Sequence, residues 1–152
     1  MTPEELINKL NSLQDSYRND CIEIIAETAV AYFKNTFRTK QFDGNSWRRT
    51  NKKTGSTLIE SGNLLNSIRT IEVSESRVVI AAGNDKVAYA RVHNEGGVQN
   101  VKAHTRTRNG KQHNVKAYQY TSWKRQYMGN SVEMFQLIDK KINNYITTKI
   151  KS

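Results

Sequence analysis

The chain has 152 residues, 36% hydrophobic and 25% charged, with a formal net charge of +10. That length suits one domain, able to bury roughly two-thirds of the surface its unfolded form exposes, and the periodic segments below argue against disorder. The lone Cys21 excludes an internal disulfide, no apolar run approaches the ~20 residues that span a bilayer, and no secretory signal is visible, so a soluble protein of a reducing cytoplasm is expected.

"TPEEL" reads as a helix start: Thr2 caps, Pro3 stands where a missing N–H costs nothing, and Glu5 closes a capping box. Leu6, Leu10, Leu13, Tyr17, Cys21 and Ile24 then recur every three or four residues, continued by Ile25, Ala29, Phe33 and Phe37. This predicts one helix of ~30 residues, or two with a bend near Asp15–Asp20, and a helix so long usually packs against more than its own chain. Residues 38–57, ending in "NKKTGS", read as a polar loop, with an Asp43-Gly44 turn between Phe42 and Trp47 and with Trp47 pinning it to the core. "TLIESGNLLNSI" predicts a short helix capped by Ser61 or Asn63, with Leu64, Leu65 and Ile68 facing inward.

A hairpin follows, in which Ile71 and Val73 alternate with polar residues, Val78–Ile80 return, and Ser74–Ser76 turn. In "YARVHNEGG", Tyr89, Ala90 and Val92 are expected to bury one side of a helical turn, His93 to hydrogen-bond locally, and Gly96-Gly97 to swing the chain into the next strand. Asn109-Gly110 centres a second hairpin. Ser131 caps a last helix whose face is Met134, Phe135, Ile138, Ile142, Tyr145 and Ile146. The fold class is therefore α+β: a long N-terminal helix, an antiparallel sheet of two β-hairpins, short helices and a C-terminal helix, in a single domain over 1–152.

Charge is unevenly placed. Residues 1–33 hold six acids against two bases, whereas Gly96 to Val132 holds seven bases and no acid. In the second hairpin a two-residue turn pairs Arg108 with Lys111, Arg106 with His113 and His104 with Val115. One face then carries Lys102, His104, Arg106, Arg108, Lys111 and His113, while Thr105, Thr107, Gln112 and Asn114 on the other face supply no large apolar group. The stretch at about 101–118 is expected to project as an arm of ~26 Å, at ~3.3 Å for each of eight strand residues, toward an acidic patch on a neighbouring subunit or the phosphates of DNA. Tyr118, Tyr120 and Trp123 are assigned to core packing, with base stacking as the alternative.

His93 and Glu95 suggest chemistry at first sight. Two residues apart, they fall about 200° apart around a helix, and none of the three histidines stands at a metal-binding spacing. No nucleophile elbow, phosphate loop or carboxylate pair appears, so no enzyme, metal or cofactor is expected.

Taken in order, Phe37, Phe42, Gly44 and Trp47, then "TLIESGNLLNSI", a hairpin, "YARVHNEGG" and "RQYMGNS" resemble the virion morphogenesis (tail-completion) family of tailed bacteriophages, the Mu-like group. The match is a succession of short motifs over about residues 30–150. Its motif positions fall on Trp47, Gly62, Leu64, Ser67, Ile68, Tyr89, Ala90, His93, Gly96, Gly97, Arg125, Gly129 and Ser131, which by the physical reading set core and turns. Tyr127-Met128 departs from the larger apolar or proline-containing pair expected, which bears on how the last helix docks. The resemblance implies a structural, non-catalytic neck protein that completes the tail or joins it to the head. Its implied partners are copies of itself in a ring, taken as a hexamer, other neck, connector and tail proteins, and non-specific contact with phage DNA. No membrane and no small-molecule substrate are implied. Such a protein is made in the host bacterial cytoplasm and ends in the virion. The alternative is a stand-alone basic nucleic-acid-binding module.

Overall fold

The computed structural model describes residues 2–51 and 57–151, so most of the "NKKTGS" loop lies outside the described residues. Helix α1 runs unbroken from Pro3 to Thr39, 37 residues with no bend at Asp15–Asp20. The Thr2 hydroxyl accepts from the Glu5 amide, and the Glu5 carboxylate accepts from the Thr2 amide at 2.7 Å. Lys40, left-handed at φ 56°, ends the helix by donating its N–H to the Thr36 carbonyl.

Only the second half of α1 enters the core. Ala26, Ala29, Phe33 and Phe37 are buried, and each large side chain so placed contributes roughly 1.5–3 kcal/mol. Residues 2–19 all fall in the exposed class, Tyr17 least so at 39%. The predicted stripe is therefore uncovered over Leu6, Leu10 and Leu13, which are 46, 56 and 45% exposed.

Beyond α1, Gln41–Phe42 (β1) and Asn45–Ser46 (β2) pair around Asp43-Gly44, both at positive φ (48° and 76°), as a two-residue hairpin turn requires. A ladder thus stands where the sequence reads as loop. A one-turn helix, α2 (Asn63–Asn66), begins at Gly62, φ 71°. No side chain caps it from that position; the Ser61 hydroxyl, one residue earlier, accepts from the Asn63 amide, so Asn63 is not the cap. Leu64 and Ile68 are buried and Leu65 is half-buried.

Strands β3 (Arg69–Ser74) and β4 (Arg77–Ala81) form the first long hairpin, turning at Glu75-Ser76. A register shift between Thr70 and Glu72 leaves Ile71 unpaired, and both Ile71 and Val73 are exposed. After α3 (Ala90–Glu95), β5 (Gly97–Val101) pairs with β8 (Tyr118–Ser122) and β6 (His104–Arg108) with β7 (Lys111–Val115). Their registers are continuous, Val101 facing Tyr118 and His104 facing Val115, so the two ladders are one hairpin spanning residues 97–122. The antiparallel hairpins stay separate, each two strands wide among the described residues.

Helix α4 (Val132–Lys151) packs along α1, with Met134 and Ile138 buried. The Tyr17 and Tyr145 rings meet edge to face, and the Tyr145 hydroxyl donates to Asp20. Phe135, expected on the inner face, is exposed: it lies one residue, or about 100°, around the helix from Met134.

Candidate functional site

Three features carry the positions singled out in the sequence: a polar junction at the start of α4, an open cavity beside α3, and the arm.

At the junction, Ser131 is almost fully buried and its hydroxyl accepts from the Met134 amide at 3.1 Å, capping α4. Asp43, from the β1–β2 turn, accepts from the Glu133 amide (3.0 Å) and lies 2.8 Å from the Ser131 hydroxyl. Tyr32 on α1 donates to Glu133 and accepts from the Asp43 amide. These bonds tie α1, the small hairpin and α4 together. The Glu133 amide and the Ser131 hydroxyl hold the Asp43 carboxyl below its ordinary 3.8, and its negative charge suits the helix N-terminus. Burial, above all, raises the Tyr32 hydroxyl. Tyr32, Asp43 and Glu133 were not legible as a site, since they are far apart in sequence and none carries a motif.

Trp47 is buried, its indole N–H donating to the Gln126 carbonyl at 2.7 Å, and its ring meets Phe37 at 5.6 Å between centroids. Tyr127, 1% exposed, packs on Phe37 at 5.0 Å and donates its hydroxyl to the Ala90 carbonyl. Burial pushes that hydroxyl up to about 12. The Asn94 side chain accepts from the amides of both Tyr127 and Met128. The departure at Tyr127-Met128 thus docks the approach to α4 through an aromatic contact and two backbone bonds. Ser67 donates to the Leu64 carbonyl and accepts from the Gly83 amide, fixing α2 to the end of the first hairpin. Gly129 takes φ 139°, in the turn before α4.

Beside α3 lies an open cavity of about 550 Å³ lined by Leu58, Leu64, Tyr89, His93 and Arg125, among others. It gathers four of the singled-out positions: Leu64, Tyr89, His93 and Arg125. Tyr89, expected inside, is 41% exposed at its rim and meets the His93 ring edge to face at 5.4 Å. Nδ1 of His93 and Nε of Arg125 are buried without a hydrogen-bond partner among the described residues. Local bonding at His93 runs through its backbone N–H, which donates to the Tyr89 carbonyl at 3.3 Å, while its carbonyl accepts from the sequence-distant Arg125 amide at 2.9 Å. Burial first, and the Arg125 charge second, lower the imidazole below its ordinary 6.5. Such a ring is neutral at pH 7, with a cation beside it. Among the described residues no group of three or more His, Cys, Asp or Glu side chains could hold a metal ion.

Gly96, φ 71° and ψ −156°, and Gly97, φ 104°, launch the arm. A Cβ at Gly96 would stand 2.7 Å from the Lys124 amide nitrogen and 2.9 Å from the Ser122 carbonyl oxygen, so glycine is required for space as well as conformation. The observed register pairs Arg108 with Lys111, Arg106 with His113 and His104 with Val115, as the turn predicts. Residues 102–114, including Lys102 and His104, are all exposed. With twelve residues in each strand counted from the glycines, the arm reaches ~40 Å, longer than the eight-residue expectation. Tyr118, Tyr120 and Trp123 are not core: they are 49, 47 and 51% exposed, and the Arg48 guanidinium sits 3.7 Å over the Trp123 ring. The arm offers them no second layer to pack against.

Among the described residues no helix is long and apolar enough to cross a membrane. No curated protein and no solved structure matches the chain. The phage virion morphogenesis family does match, over residues 4–147, and with nearly the whole sequence inside that match the chain belongs to this family.

Proposed function

We propose that this chain completes the tail and joins it to the head in the neck of a tailed phage, as one subunit of a ring on the axis along which DNA leaves. Membership of the phage virion morphogenesis family makes it a structural, virion-associated protein. The observation that carries the finer reading is the pair of uncovered projections, the N-terminal half of α1 and the basic arm, on a chain whose core lies between them. Helices in proteins draw most of their stability from packing an apolar face, which this half of α1 lacks, and like charges face to face destabilise a hairpin, so both are expected to gain a neighbour. Its partners are copies of itself, taken as six, and the connector and tail proteins above and below. It acts without catalysis, and it travels from the host cytoplasm into the particle.

The test is to delete the gene product and supply it in trans. Loss of the chain should yield separate filled heads and tails, rescued by wild type, and electron microscopy of particles should place the chain at the neck. Normal particles without it would remove the reading. A second reading, a nucleic-acid-binding module, draws on the exposed Tyr118, Tyr120 and Trp123 beside a basic hairpin. It requires tight DNA binding by a monomer.

A further inference from the structure

We propose that the basic arm of one copy docks along the acidic, apolar side of α1 in the next copy. This rests on the ring reading above, and names the surfaces that close the ring.

Among the described residues, two surfaces stay largely uncovered by the rest of the chain. The first is on α1. At ~100° per residue, Glu4, Asp15, Glu23 and Glu27 fall in an arc of ~140°, with Lys9 the one base at its edge, beside the stripe of Leu6, Leu10 and Leu13. Those three leucines are all exposed. An uncovered apolar row beside a predominantly acidic strip marks an interaction site. The second surface is the arm, where Lys102, Arg106, Arg108 and Lys111 are exposed and no acid occurs from Gly96 to Val132. Its root adds half-exposed Tyr118 and Tyr120. Each surface thus combines apolar groups with charge, of opposite sign on the two.

The two cannot meet within one molecule as folded. The arm's root adjoins Tyr127, which packs on Phe37 at the C-terminal end of α1. The acidic stretch lies toward the other end, up to ~50 Å along the helix at 1.5 Å per residue. Residues 2–19 and 102–114 are exposed throughout. A contact between different patches on successive copies is heterologous, the kind that generates rings when its rotation closes. DNA would satisfy the arm but would repel the acids beside the apolar stripe and leave that stripe uncovered. A second copy accounts for both surfaces at once.

The experiment is a charge swap in the full-length chain, read by sedimentation at low salt. Arg106→Glu with Arg108→Glu, or Asp15→Lys with Glu23→Lys, should each weaken self-association roughly 10- to 100-fold, and salt should weaken the wild type likewise. Circular dichroism is the check that both variants keep the fold. Mixing the two doubly substituted chains, or combining all four changes in one chain, should restore association, which a merely structural defect would not do. A wild type that stays monomeric, reversal without effect, or no restoration in the combined variant overturns the proposal. So does arm reversal that abolishes binding to a plain DNA duplex while leaving self-association intact. The neck reading is tested separately, by whether the wild-type chain is found in purified particles. A chain present there whose charge swap fails sinks the docking but not the reading, whereas a chain absent from particles sinks the reading itself.

Discussion

Trp47 shows how much rests on one side chain in a polar stretch. It has lost almost all contact with water, donates to the Gln126 carbonyl and meets Phe37 edge to face. Trp47→Ala should therefore cost about 3–5 kcal/mol in chemical denaturation, the range for deleting a core aromatic. A loss under about 1 kcal/mol would mean the ring serves a partner. His93 gives a second residue-scale test, through pH. Its folded value lies below 6.5, because burial and Arg125 oppose the charged ring. The unfolded chain then binds a proton that the folded chain resists, so this contribution is complete above 6.5 and is lost as pH falls below it. Asp43 acts in the same direction but lower, its contribution present above 3.8 and lost as pH falls through its depressed folded value. Stability measured against pH should thus fall in two windows, His93→Gln flattening the upper and Asp43→Asn the lower. An unchanged profile in His93→Gln would mean the ring is solvated.

Among the elements, the arm's launch point is the most exacting. Gly96→Ala adds a clash with the backbone of Ser122 and Lys124 to an unfavourable φ, and should cost about 2–5 kcal/mol. At Gly97 a Cβ meets nothing within 4 Å, so Gly97→Ala should cost only about 1–2 kcal/mol for its backbone angle. Equal losses from thermal or denaturant unfolding would refute the packing argument. Elements with local signals were readable from the sequence alone: the capping box of α1, the Asp43-Gly44 and Asn109-Gly110 turns, the arm's register, and the Ser131 cap. Each depends on chemistry within a few residues. What escaped was long-range. The junction of Tyr32, Asp43, Ser131 and Glu133 spans about a hundred residues, and nothing local announces it. Residue type assigns Tyr118, Tyr120 and Trp123 to the core, whereas the two-stranded arm has no core to place them in.

For the whole molecule, order should be graded along α1. In the isolated chain, residues 3–16 of the helix are exposed, whereas Ala29, Phe33 and Phe37 sit in the core. Hydrogen exchange should be fast in the first segment and slow in the second, and the first should become protected on assembly. Uniform slow exchange in a verified monomer would contradict the exposed stripe. The two indoles provide an optical readout of the same division. Trp47 is sealed inside and Trp123 lies open beneath Arg48 at the root of the arm. A collisional quencher such as acrylamide should therefore reach Trp123 and spare Trp47. Anything that settles on the arm's root would shield one emitter while the other goes on reporting an unchanged fold, so docking and unfolding can be followed separately in a single cuvette without an added label.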